Sequence, residues 1–290
     1  MRFVVLGDLH YGLYPEPQVA AAYDQTFESF FRQVAIKQAD LVFAIGDTTN
    51  LGIIEEFVAQ DELAARAGLH LIRLTGNHDS DSLEKAEMSP YFLGDHPSTS
   101  LTELYTSFDF GIARFILLDT ARVKMSSVDY GGIVSPEQLA WLEGEIESFN
   151  NSDQSLIIVL GHHPLANTTA RSSKEMLNIS NSAEVKVVFG KVMGKPGVYI
   201  CGHNHWHSLV GPDEQGWYFV QAGAPLESGG FRLFTLDEQG LRVETVDFNL
   251  SDPTLKAAFE IAQLNMAHFS AERLPSAYGA PSDRKIIIPF

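Results

Sequence analysis

Six short aliphatic runs punctuate the chain up to residue 201: Phe3 to Leu6, Leu41 to Ile45, Leu69 to Leu74, Phe115 to Leu118, Leu156 to Leu160 and Val198 to Cys201. Each is closed by a polar or glycine-bearing turn. A run that is apolar at every position, rather than at alternate ones, predicts a strand buried on both faces. Helices must then supply the cover, and amphipathic stretches do fall between the runs. Tyr23 to Gln38 places Phe27, Phe30, Phe31 and Val34 at helical spacing, and Ile53 to Ala67 does the same with Phe57, Val58 and Leu63. Pro136 to Phe149 has Ser135 as N-cap and Pro136 at the first helical position, with Leu139, Leu142 and Ile146 on one face.

Past residue 200 the pattern becomes a meander. His205 to Val210, Gly216 to Ala222, Phe231 to Leu236 and Leu241 to Phe248 read as successive strands joined by Gly211-Pro212-Asp213, Ser228-Gly229-Gly230 and Glu238-Gln239-Gly240. A βαβ half followed by a meander predicts an α/β fold of two packed sheets with outer helices. The main domain is expected over residues 1–250, with 251–290 a C-terminal helix, at 253–266, and a tail from Ala271 to Phe290, packed on the same domain or extending from it as a loosely attached arm. A chain of 290 residues, 45% hydrophobic, can bury a large core without staples. The single cysteine, Cys201, excludes an internal disulfide and a cysteine-built zinc site, and reads as a small core residue.

Five of the runs end in metal-ligand residue types. They lead into Asp8-Leu9-His10, Gly46-Asp47, Gly76-Asn77-His78-Asp79, Gly161-His162-His163-Pro164 and Gly202-His203-Asn204-His205. Ligands of α/β sheets bind beyond the carboxyl ends of the strands, so these clusters should converge at one end. Any one of them could be ordinary turn chemistry; five in order, each after a strand, point to a metal site. His70, His96, His207 and His268 belong to no cluster and read as structural.

That order resembles the signature of the calcineurin-like metallophosphoesterase superfamily, spanning Asp8 to His205. Leu118-Asp119-Thr120, Gln138-Leu139-Ala140-Trp141-Leu142 and His162-His163-Pro164 are similar to the class III cyclic-nucleotide phosphodiesterase and glycerophosphodiesterase branch. The chain departs from that branch at Thr48, where leucine is expected, and at Leu165, where a second proline is frequent. The resemblance implies a four-layer α/β/β/α sandwich of two mixed sheets flanked by helices. It also implies two transition-metal ions, Mn, Fe or Zn: one held by Asp8, His10, Asp47 and His205, the other by Asp47, Asn77, His162 and His203, with Asp47 bridging. Neutral imidazoles and hard oxygens suit such ions, and the amide of Asn77 limits the negative charge around the second. The reaction implied is hydrolysis of a phosphate ester by a metal-bridged hydroxide, with His78 protonating the leaving oxygen and Asp79 orienting the His78 ring.

The expected substrate is a small phosphodiester, a cyclic nucleotide or a glycerophosphodiester. The alternatives are a phosphomonoesterase or protein phosphatase, and a non-catalytic scaffold on the same fold; a scaffold should show gaps among the ligands, and none of the seven positions is empty. A net charge of −17 argues against a nucleic-acid or anionic-membrane partner. Specificity should come from Tyr11 to Val19, Ser80 to Leu104, Ala121 to Val134 and Ala166 to Ser182, with His163 and Arg171 as candidate substrate contacts and Tyr14, Tyr91, Phe92 and Tyr130 as further possibilities. No run is long enough to span a membrane, no signal-peptide pattern opens the chain, and the expected compartment is the cytoplasm. The sequence leaves the oligomeric state open.

Overall fold

The structure, a computed structural model, describes residues 1–122, 129–266 and 269–290. In chain order its strands are β1 (Arg2–Leu6), β2 (Leu41–Ile45), β3 (Ile72–Leu74), β4 (Thr106–Phe110), β5 (Ala113–Leu117), β6 (Leu156–Leu160), β7 (Gly197–Cys201), β8 (Ser208–Val210), β9 (Trp217–Gln221), β10 (Gly230–Asp237), β11 (Gly240–Asp247) and β12 (Lys285–Ile288). They form two six-stranded sheets, ordered β12-β11-β10-β1-β2-β3 and β4-β5-β6-β7-β9-β8. Both are mixed. Strands β1, β2 and β3 are parallel, as are β5, β6, β7 and β9; the remaining pairings are antiparallel.

The helices are α1 (Pro17–Ala35), α2 (Ile54–Arg66), α3 (Lys85–Met88), α4 (Pro136–Asn150), α5 (Ser182–Phe189), α6 (Pro225–Ser228), α7 (Pro253–Asn265) and α8 (Leu274–Ala277). Because side chains alternate across a strand, each sheet has two apolar faces, and three buried layers result. Phe3, Val5, Phe43 and Phe234 of the first sheet meet Phe115, Ile158, Leu160 and Ile200 of the second. Phe3 stacks on Phe234 at 4.4 Å between centroids and meets Phe115 edge-on at 5.4 Å. On the outside of the first sheet, Val4, Leu6, Val42 and Ala44 pack under α1, α2 and α7. On the outside of the second, Ile116, Ile157, Val159 and Trp217 pack under α4 and α5. This is the four-layer sandwich expected. Each large side chain in these layers contributes about 1.5–3 kcal/mol of burial.

Two boundaries differ from expectation. Helix α1 starts at Pro17, whose fixed φ suits a first turn, and ends before Gln38, which has φ 50°. Strand β3 starts at Ile72, because Leu69 still donates its N–H to Ala64 O after Gly68 turns α2 off with φ 74°. Of the two expectations for the C-terminal tail, packing on the domain agrees with the pairing of β12 with β11, Leu241 opposite Ile288. The fully buried Arg232 guanidinium fastens the same tail, donating to Asp283 O as well as to Ser208 O, Gln221 O and Thr245 Oγ1.

Candidate metal centre

The carboxyl ends of β1, β2 and β3 in one sheet, and of β6 and β7 in the other, point to the same region. Asp8 and His10 follow β1, Asp47 follows β2, Asn77 follows β3, His162 follows β6, and His203 and His205 follow β7. All seven are buried, none more than 8% exposed. Four of them have left-handed backbones: His10 (φ 46°), Asp47 (φ 47°), His203 (φ 66°) and His205 (φ 63°). A side chain with a Cβ is strained there, and such strain gathers where a side chain must be aimed. Two glycines let the turns close on one another. A Cβ on Gly76 would lie 2.0 Å from Asp47 N, and one on Gly46 would lie 2.5 Å from His162 Nδ1.

Two sets of donor atoms meet at Asp47. In one, His162 Nε2 lies 3.3 Å from Asp47 Oδ2, 3.3 Å from Asn77 Oδ1 and 3.2 Å from His203 Nδ1. The far ring nitrogens face backbone carbonyls, His162 Nδ1 at 2.9 Å from Ile45 O and His203 Nε2 at 2.9 Å from Met176 O. Those carbonyls accept the ring N–H groups and turn the opposite lone pairs inward. In the other set, His10 Nε2 lies 3.1 Å from His205 Nε2 and 3.9 Å from Asp47 Oδ2, and His205 Nε2 is 4.0 Å from Asp8 Oδ1. Asp8 and Asp47 are held alike: Asp8 Oδ1 accepts from His203 N and Asp47 Oδ1 from His78 N, each at 2.7 Å.

Converging lone pairs and carboxylates require positive charge among them. Burial opposes a charged His162, yet the Asp47 carboxylate lifts it to about 9. Burial, then the His162 charge, hold His203 down at about 3. Burial also pushes Asp8 up to about 6, against the pull of His205 and His162. Asp8 Oδ2 and His10 Nδ1 are buried with no hydrogen-bond partner among the described residues. The donor set is imidazole nitrogen, carboxylate oxygen and one amide oxygen, with no thiolate. It fits cations of the Mn, Fe or Zn kind.

His78 stands at the edge of this cluster, its ring 4.8 Å from that of His10 and 13% exposed at the side chain. Its Nδ1 lies 3.1 Å from Asn50 O and 3.6 Å from Asp81 Oδ2. Asp79, expected to orient the His78 ring, has both carboxylate oxygens engaged by the turns after β2 and β3. Asp79 is fully buried, its Oδ1 accepts from the N–H and hydroxyl of both Thr48 and Thr49 at 2.9–3.0 Å, and its Oδ2 accepts from Gly76 N at 2.9 Å. It ties the β2 turn to the β3 turn, and Asn50 and Asp81 face the His78 ring instead. Thr48, the departure from the branch pattern, is one of its partners.

His163 is fully buried, Nδ1 at 2.9 Å from Thr120 Oγ1 and Nε2 at 3.0 Å from Tyr130 O. Arg171, half-buried with φ 65°, donates to Asn204 O at 3.1 Å and lies over Trp206 at 5.4 Å. Tyr130 is 38% exposed with its ring 6.1 Å from His203. Tyr14 bonds Asn265 O, Tyr91 stacks on Phe57 and Phe92 is buried, so these three belong to packing. Residues 123–128 of the Ala121 to Val134 loop, and His268, lie outside the described residues. Sequence reasoning missed Glu227, which is fully buried with Oε1 at 3.5 Å from His205 Nδ1; a lone glutamate in the single turn α6 gives no local signal.

A family model described as calcineurin-like phosphoesterase matches residues 1–207. Among solved structures, the fold is similar to a dimetal phosphatase from Danio rerio at 15% identity and TM-score 0.71, over 85% of this chain and 96% of that one. It is similar to a purple acid phosphatase from yellow lupin (Lupinus luteus) seeds at 16% identity and TM-score 0.57, over 85% of this chain and 51% of that one. A 5'-nucleotidase from Candida albicans aligns at 16% identity and TM-score 0.53, over 95% of this chain and 55% of that one. A comparison with curated proteins finds no match. No helix among the described residues is long and apolar enough to cross a membrane.

Proposed function

The chain belongs to the calcineurin-like phosphoesterase family, and from that premise we propose that it hydrolyses a small phosphodiester with the help of two metal ions. The observation that carries the reading is Asp47, whose Oδ2 faces both donor sets, 3.3 Å from His162 Nε2 and 3.9 Å from His10 Nε2. Asp8, His10, Asp47 and His205 would hold one ion, and Asp47, Asn77, His162 and His203 the other. When bound, the ions supply Lewis acidity and activate water.

The chain's own residues do the rest. Asp47 is fixed through Oδ1 by the backbone N–H of His78, which leaves Oδ2 for the centre, and Asp8 is fixed through Oδ1 by the backbone N–H of His203. His78 is the proposed proton donor. Asn50 O and Asp81 Oδ2 both face Nδ1 and fix the ring, and Nε2 is the nitrogen assigned to the departing alkoxide. Asp79 serves by locking the turn that carries Asn77 and His78. His163 braces Tyr130 and Thr120 behind His203, and Arg171, which donates to Asn204 O between His203 and His205, is the proposed contact for a substrate oxygen.

A second reading is a phosphomonoesterase, favoured by the neighbours described as a phosphatase and a nucleotidase. Turnover of a panel of monoesters, linear diesters and cyclic nucleotides with added Mn²⁺ decides between them. Diester turnover well above monoester turnover is expected; the reverse overturns the choice, and no turnover of any member overturns the hydrolase. The proposed compartment is the cytoplasm.

A further inference from the structure

Among the seven candidate ligands, His205 is the histidine whose outer nitrogen faces a carboxylate from outside the set; that Nδ1, like His10 Nδ1, has no hydrogen-bond partner among the described residues. Glu227, in α6, puts Oε1 3.5 Å from His205 Nδ1. The glutamate is itself fully buried, and its only ion partner besides His205 among the described residues is Arg273, which donates from Nη2 to the same Oε1 at 3.1 Å. Both lie beyond residue 207, where the family match ends. Arg273 precedes α8, in the tail that the sequence leaves without a role.

Burying a carboxylate is costly unless it is paired. Here one side is a hydrogen bond from the tail's guanidinium and the other a 3.5 Å contact with the ring of His205 in the metal-site loop. A negative oxygen at Nδ1 fixes the tautomer that carries its proton there. The Nε2 lone pair is then the one turned to His10 and Asp8. It also raises the electron density that this nitrogen offers a cation. The tail is positioned for the task by contacts of its own: His207 N donates to Ala277 O at 2.9 Å, and Leu209 N to Asp283 Oδ1 at 3.0 Å. It thus crosses directly over the segment that follows His205.

We propose that Arg273 and Glu227 are positioning residues of the metal centre: the C-terminal tail sets the metal affinity of the Asp8, His10 and His205 half through the chain Arg273, Glu227, His205. This rests on the two-metal reading given above. The test is competitive chelator titration of Mn²⁺ and Zn²⁺ into the full-length chain, with thermal denaturation of the metal-free protein alongside. Wild type should bind two ions. Glu227→Gln and Arg273→Ala should each weaken one ion by about 10–100-fold, the usual effect of losing such a partner, and leave the other unchanged. Arg273→Lys should recover part of the loss, because it keeps the charge. Asp283→Ala, which breaks the neighbouring contact to Leu209, serves as the structural control and should lower Tm without splitting the two affinities.

At most one ion in wild type defeats the two-metal reading on which the inference stands. Two ions in wild type with unaltered affinities in Glu227→Gln and Arg273→Ala defeat the inference alone. So does an equal weakening of both ions in Arg273→Ala that Asp283→Ala reproduces, since the tail would then act only as a strap.

Discussion

The two donor sets that meet at Asp47 are held by different means. Around Asn77, His162 and His203 the outer ring nitrogens rest on Ile45 O and Met176 O, groups that no substitution can remove. Around Asp8, His10 and His205, neither His10 Nδ1 nor His205 Nδ1 has a hydrogen-bond partner among the described residues, and His205 Nδ1 lies 3.5 Å from the Glu227 carboxylate. One half is aimed by the fold itself, the other by a few replaceable side chains. Metal identity and affinity can therefore be altered in the second half without rebuilding a strand end.

The widest break in this comparison is Asp47→Ala, because Asp47 faces both sets. Both ions should be lost and hydrolysis should fall to background, as elemental analysis and a rate assay would register. Loss of one ion alone would mean that the halves do not share it. The next test separates them. His203→Ala and His205→Ala should each leave about one ion per chain, with losses at the affected half beyond the roughly 10–100-fold expected for an outer partner.

His78→Ala falls between the halves. Its backbone N–H, which holds Asp47, survives the substitution, so metal content should stay at the wild-type level. The rate should drop about 10²–10⁴-fold on a diester with an alkoxide leaving group, the range for a lost proton donor, and much less on a p-nitrophenyl diester. Equal losses on both substrates would make His78 a charge stabiliser instead. The smallest effect is expected from Thr48→Val. It removes one of the bonds to the buried Asp79 carboxylate, at a cost of about 1.5–3 kcal/mol for a bond to a charged group. Denaturant unfolding should show that loss while both ions stay bound; release of either would place Asp79 closer to the metals than its hydrogen bonds do.

The strand ends were legible because their signals are local: an aliphatic run, a glycine, then Asp, Asn or His. The layered fold followed from the same runs, which must be covered on both faces. Strand β4 was not legible, since its Thr-Ser-Phe-Asp-Phe stretch is half exposed and carries no apolar run. Strand β12 owes its existence to pairing with β11, and its isoleucines follow two prolines that read as a break. The partners of Asp79 were not legible for a related reason. Proximity in sequence pointed to His78, whereas its partners Thr48 and Thr49 reach it from the end of another strand. Glu227 lies past the last recognisable block and meets His205 through the fold, where Ala224, just before α6, donates its N–H to His205 O at 3.1 Å.

The candidate ligands come from both sheets, from Asp8 at one end of the matched region to His205 at the other. Ions bound there would do for this chain what disulfides do for secreted proteins. They would tie the unfolded chain into loops of up to about 200 residues, and long closures restrict an unfolded chain most. With Cys201 the only thiol, and buried in β7, the chain has no covalent cross-link of its own. The catalytic apparatus would then double as its only staple, and a chelator would act on this protein as a reducing agent acts on a disulfide-bonded one.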